Sequence, residues 1–180
     1  MRPINWKVLL RKIHYWLSVV IMLPSGIIII AGIVLMLKKD FDWIQPPTQR
    51  GEQAWVVPGI SYEHMLITAR GIEQSGIHSW EDIKRIDIRP NKGVAKMTSL
   101  TDWEIQFDTA TGAVLSVAYR RSDWIEAIHD GSFFADPVKR YIFLPTGILL
   151  LIMWGTGIYL FFMPRILRAR RRRAVASQSG

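Results

Sequence analysis

Two stretches of 23 residues without a formal charge, 15–37 and 141–163, constrain this chain more than any other feature. A helix rises ~1.5 Å per residue, so each reaches about 34 Å, enough to cross a bilayer core of ~30 Å with some tilt. Both are rich in Ile, Leu, Val and Met, and neither keeps the polar face of a helix packed on a soluble core. A cleaved signal peptide is the competing reading of the first stretch. Its apolar run exceeds the ~7–15 residues of a signal core. Lys38, Lys39, Asp40 and Phe41 follow it in place of a small-residue cleavage site. The expectation is an uncleaved signal anchor and two transmembrane helices, over 15–37 and 141–163.

Charge sets the expected orientation. The chain carries 23 Lys+Arg against 15 Asp+Glu, which invites a nucleic-acid partner, but the distribution argues against one. Residues 38–140 hold all 15 acids and 13 of the basic residues. The other basic residues sit in the acid-free ends, where Lys7, Arg11 and Lys12 precede the first span and Arg165, Arg168 and the run 170–173 follow the second. Positive flanks stay in the cytoplasm. Segments 1–14 and 164–180 are therefore expected to be cytoplasmic and 38–140 periplasmic, in a bacterial inner membrane. Trp6, Trp16, Trp43, Tyr141 and Tyr159 fall near the span ends, where aromatic belts form. The arginine run reads as a topology signal that also touches anionic lipid, or as a site for an acidic partner. Residues 174–180 look like a disordered end. Cysteine is absent, which excludes disulfides, thiolate metal sites and cysteine nucleophiles.

About 100 residues between the spans are too many for a connector, so a folded domain is expected there. Residues 38–59, with Pro46, Pro47 and Pro58, read as a linker. Ser61 is placed to cap a helix carrying Met65, Leu66 and Ala69, with Ser61 and His64 at capping-box spacing but His in place of Glu. Gly71 and Gly76 mark its end. Strands are expected over 83–89, 94–100, 103–107 and 113–119, with turns at Pro90–Gly93 and at Gly112. In the third, Trp103, Ile105 and Phe107 face one way and Glu104 and Gln106 the other. Asp87, Glu104 and Asp108 then suit a solvated sheet face. Gly112 suits a turn position with φ > 0. Ser122 or Asp123 would cap a short helix through Ile128. The fold class is α+β, a helix on an antiparallel sheet over 60–130, joined by a segment 131–140 to the second span.

The run DWEIQFDTATGAVLSV resembles the end of a PepSY domain, and SYEHMLITARGIEQSG sits where that domain has its opening helix. RKIHYWLSVVIMLPSGIIIIAGIVLML resembles the first helix of PepSY-associated transmembrane proteins, with a basic residue and a histidine at its start. IEAIHDGSFFADPVKRYIFLPTGILLLIMWGTGIYLF resembles their second block, reading His129-Asp130-Gly131 here. The likeness runs from Arg11 to Met163. It implies a PepSY-like extracytoplasmic domain between two spans. It also implies haem binding for some larger members, which have several spans and act as siderophore or ferric reductases.

His14 and His129 are the candidate cofactor and metal ligands, for a haem b, because neutral imidazole is a good axial ligand and ionisable groups at a span are functional candidates. The expected topology puts them at opposite faces, about 30 Å apart. One iron then cannot take both, and bis-histidine ligation needs a homodimer, a four-helix bundle in which Gly26, Gly32, Gly147, Gly155 and Gly157 permit close contact. The plainer readings are a headgroup-facing His14 beside Trp16, and a His129 at a helix C-terminus stopped by Gly131. His64 and His78 read as surface residues. Pro24 and Pro145 either kink the spans or are simply accommodated. No His-Glu-x-x-His or phosphate loop occurs.

Three functions remain open. The first is a non-enzymatic accessory or regulatory protein that presents its outer domain to a membrane or periplasmic protein partner, with the lipid bilayer as its other partner. The second is a small haem-binding electron carrier linked to iron or siderophore reduction, an enzyme only if it is a haem-dependent reductase. The third, a peptidase-regulating module, rests on fold association alone.

Overall fold

In the computed structural model, which describes residues 6–176, the longest elements are α1 (Trp6–Met36) and, after the short helices α2 (Tyr62–Arg70), α3 (Arg121–Asp130) and α4 (Asp136–Val138), α5 (Leu144–Ala176). Four strands lie between α2 and α3: β1 (Ile83–Arg89), β2 (Val94–Ser99), β3 (Trp103–Asp108) and β4 (Val114–Tyr119). The chain divides into two units, one of residues 1–30 with 128–180 and one of 31–127.

The 31–127 unit is an antiparallel meander in the order β1-β2-β3-β4. Its register gathers the apolar residues into rows. Ile86, Met97, Ile105 and Val117 face one another across the four strands, and Ala95 pairs with Phe107 in the next row. Helix α2 lays Met65, Leu66 and Ala69 on this face, and Ile77 closes the core. Full burial of a side chain such as Phe107 is worth roughly 1.5–3 kcal/mol. Ser61 caps α2 as its spacing predicts, its hydroxyl accepting from the His64 amide at 3.1 Å. The turns at Gly93 and Gly112 adopt φ of 63° and 77°.

The opposite face of the sheet departs from expectation. Glu104, Gln106, Asp108 and Lys96 are each at most 3% exposed. The segment read as a linker covers them. The Gln49 amide donates to Gln106 Oε1 (2.8 Å), Gln106 Nε2 donates to the Pro47 carbonyl (2.9 Å), and the Glu52 amide donates to Asp108. The amides of Gly51, Trp55 and Gly59 bond to the carbonyls of Lys92, Pro90 and Thr109. This stretch therefore forms a third layer. Helix α3 begins at Arg121, so Ser122 and Asp123 occupy its first turn and neither caps it. Asp123 is instead drawn to Arg120, at 3.0 Å.

In the other unit α1 and α5 touch through Ser18 and Met153 (3.9 Å) and through His14 and Thr156. Both spans are longer than their charge-free cores. Val8–Met36 and Asp136–Arg168 are apolar enough to cross a membrane. Proline at position 145 removes an amide and crowds the carbonyl four residues back. The helix answers with a π-turn over Lys139–Phe143 just ahead of it. Pro24 lies inside α1. Gly131, with φ 84°, ends α3, and a Cβ there would stand 2.6 Å from the ring of Phe143. The backbone of α5 continues to Ala176. The side chains of the arginine run 170–173, and residues 177–180 of the end read as disordered, lie outside the described residues.

Candidate functional site

His129, near the end of α3, is half-buried, and its Nδ1 lies 2.9 Å from the carbonyl oxygen of Ile28 in α1. A carbonyl only accepts, so Nδ1 carries the proton and donates. In the neutral ring Nε2 then holds a free lone pair. A histidine prepared to ligate a metal has this form, one ring N–H anchored on a carbonyl and the other nitrogen presented. His14 is held more loosely, with Nδ1 3.5 Å from the Thr156 hydroxyl. Its backbone carbonyl accepts from Ser18 Oγ at 2.7 Å. A recess of about 320 Å³, lined by Leu10, Gly155, Thr156 and Tyr159, opens beside that pair.

The two histidines do not meet. His129 is level with Ile28, fourteen residues along α1 from His14, so about 21 Å of helix separates them at ~1.5 Å per residue. The gap is shorter than a full bilayer because His129 reaches back along the span. Still, no single iron is within reach of both. Among the described residues no cluster of three or more His, Asp or Glu could hold a bare metal ion. What this unit offers is one imidazole at each of two levels, which fits an axial ligand to haem and does not fit a three-ligand metal site. At Gly26, Gly147, Gly155 and Gly157 a Cβ would meet nothing within 4 Å, so the contact of α1 with α5 leaves these small-residue surfaces open.

The 31–127 unit contains a charged network that the sequence pattern hides. Glu104 is the hub. It accepts from Lys96 Nζ at 2.9 Å, from Gln106 Nε2 at 2.8 Å, and from Arg120. Asp123 takes the other side of Arg120, and also Lys84 (3.1 Å) and Arg85 (3.2 Å). Burial alone would raise the Asp123 pKa. Arg120, then Lys84 and Arg85, outweigh it and hold the carboxyl below its ordinary value. Asp108 is likewise held low, because the amides of Glu52, Thr111 and Ala110 donate to it against the cost of burial. Above this network lies a cleft of about 750 Å³ with Lys96 and Arg120 in its lining. Its signal in the sequence is sparse: Arg85 and Arg89 flank Asp87 on β1 and Lys96 lies on β2, a pattern that also suits an ordinary wet sheet face.

A second surface lies by the edge strand. Tyr62 and Trp80 stand edge-to-face with ring centres 6.4 Å apart. With Ile83 and Ile86 of β1 they line a recess of about 480 Å³. His64 and His78, read as surface residues, are exposed.

Two apolar helices long enough to span, around an α+β domain built on a four-stranded meander, define a membrane-anchored protein with a folded domain between its spans. The family model for the PepSY-associated TM region matches residues 11–178, and the chain belongs to that family. No curated protein and no solved structure matches it.

Proposed function

We propose that this is an accessory or regulatory membrane protein that presents its outer domain to a protein partner. The aromatic recess beside β1 carries the reading. Strand β1 is the sheet edge, so one row of its backbone N–H and C=O groups lacks a strand neighbour. Tyr62 is 57% and Trp80 49% exposed next to that row. An edge strand flanked by an apolar pocket is how domains take up an extended segment, with backbone pairing for affinity and the pocket for side-chain choice. Partly exposed Trp and Tyr are also the residues that dominate protein interfaces. The basic ends support a topology with both termini in the cytoplasm of a bacterial inner membrane and residues 38–140 in the periplasm.

A photo-reactive residue at position 80, in cells, should give one discrete adduct, and the same residue at exposed Thr111 should not. Trp80→Ala combined with Tyr62→Ala should abolish an adduct formed from position 83. Identical adducts from positions 80 and 111, or none at all, would refute this reading.

The hydrogen bond from His129 to Ile28 favours a second reading, a small haem-binding electron carrier. His129 Nε2 would supply one axial ligand, and the open glycine surfaces suit a homodimer that brings a second. Haem iron, when bound, would supply one-electron chemistry, and the chain's part is to fix the imidazole tautomer and exclude water. Its test is an absorption spectrum of the detergent-purified protein from cells supplied with haem precursor, before and after dithionite. A reducible Soret band lost in His129→Ala supports it. A folded preparation still colourless after added haemin disposes of it.

A further inference from the structure

The 750 Å³ cleft in the outer unit is lined by seven basic side chains and two acidic ones. We propose that it is an anion site for a phosphate-bearing group. This rests on neither functional reading above.

The floor of the cleft is built. Lys96 is 3% and Arg120 9% exposed, and both are fixed by Glu104 beneath them. With Asp123 on the other side of Arg120, their charges are held in place and largely offset. The rim is different. Lys38, Lys39 and Arg89 have no side-chain partner among the described residues, and Lys92 only reaches the Thr48 carbonyl at 3.5 Å. Of the two acids in the lining, Asp87 is already engaged by Arg85 at 3.3 Å, and the exposed Glu126 alone faces the four rim bases Lys38, Lys39, Arg89 and Lys92. The positive charge left over therefore belongs to the rim, above a floor that cannot collapse to meet it.

Like charges gathered around one concavity repel, and proteins usually disperse them or pair them with acids. Here fifteen acids were available to the same stretch of chain, and the four rim bases were left with the single carboxylate of Glu126. A phosphate oxyanion, singly charged as a lipid phosphodiester or more highly charged as a free phosphate, would offset this repulsion and accept several hydrogen bonds at once. Two sources offer that group. Lys38 and Lys39 come directly after α1, within about 10 Å of its last residue Met36 by chain length. A phosphate on an anionic lipid headgroup at the bilayer surface is therefore within reach. A free phosphate compound in the outer compartment is the other source.

The full chain would be assayed in two arms. In one, protein in phosphatidylcholine nanodiscs is equilibrated with radiolabelled pyrophosphate. In the other, native mass spectrometry counts phosphatidylglycerol against phosphatidylcholine bound to detergent-solubilised protein. The variant is Lys38→Gln/Lys39→Gln/Arg89→Gln, which breaks no observed bond and should unfold at the wild-type temperature. Lys92→Gln serves as an independent second variant. The tail arginines are common to all the proteins and give a shared background.

Binding in either arm should fall about fivefold for each base removed, and weaken with salt. Loss confined to the phosphatidylglycerol arm identifies a lipid headgroup, and loss confined to the pyrophosphate arm a free phosphate. If the variants bind as the wild type does in both arms, or the wild type binds neither probe above the zwitterionic lipid, the proposal is wrong.

Discussion

Single residues in the buried ion network make the sharpest claims. Glu104 is 1% exposed and pairs with both Lys96 and Arg120, and Asp123 supplies the second carboxylate to Arg120. Removing one partner of a buried pair leaves an uncompensated charge, at a cost of about 3–5 kcal/mol. Glu104→Gln should therefore unfold the 31–127 domain at much lower denaturant, followed by circular dichroism. Thr98 offers the reverse case. Its hydroxyl is buried and finds no partner among the described residues. Valine has the same shape without the unmet group, so Thr98→Val should stabilise the domain by about 1 kcal/mol in the same assay. The network also fixes the direction of acid sensitivity. The folded pKa values of Asp108 and Asp123 lie below the ordinary 3.8. The unfolded chain thus takes up protons first as pH falls. The stabilisation from these groups is complete above the ordinary value and is lost as pH falls through the lowered folded values. Denaturant midpoints measured between pH 6 and pH 2 should stay level and then drop, and Asp123→Asn should make that drop shallower.

At the scale of elements, much was legible from local pattern. Alternation on β3 and the turn glycines predicted the meander, and Ser61 marked the start of α2. Ser61→Ala should cost about 1 kcal/mol, since the cap bond to His64 is made. What local pattern could not reveal was the cover on the other face of the sheet. Glu104, Gln106 and Asp108 alternate with apolar residues as a half-wet strand does. Their burial comes from Pro47, Gln49 and Glu52, more than fifty residues earlier in the chain. The same limit applies to the candidate ligand. Sequence singled out His129, but its partner Ile28 is 101 residues away and is a backbone carbonyl, which no motif records. Gly131 was legible only as a stop. Its closeness to Phe143 adds a second demand, because a methyl group must displace a buried ring. Gly131→Ala should therefore be more disruptive than the ~1 kcal/mol of a left-handed alanine alone, read as a lower melting temperature of the full chain in detergent.

For the whole molecule the decisive quantity is which side of the membrane each part occupies. Both spans are much longer than the ~20 residues a bilayer core requires, so helix length does not set the orientation, and the flanking charges must. The ends hold Lys7, Arg11, Lys12 and the arginines after Met163, with no acid, whereas 38–140 carries every acid in the chain. An even number of crossings puts both ends on one side, and the orientation proposed from the charge bias makes that side the cytoplasm. The absence of native cysteine makes this directly measurable, since any introduced thiol is the sole site of labelling. Val57 is 90% exposed, so Val57→Cys leaves the packing intact. In intact spheroplasts a membrane-impermeant maleimide should label Val57→Cys fully and Ser179→Cys only after lysis. The reverse pattern would turn the aromatic recess and the basic cleft toward the cytoplasm. Their partners would then be sought among cytoplasmic segments and inner-leaflet phosphates, with the chemistry of each surface unchanged.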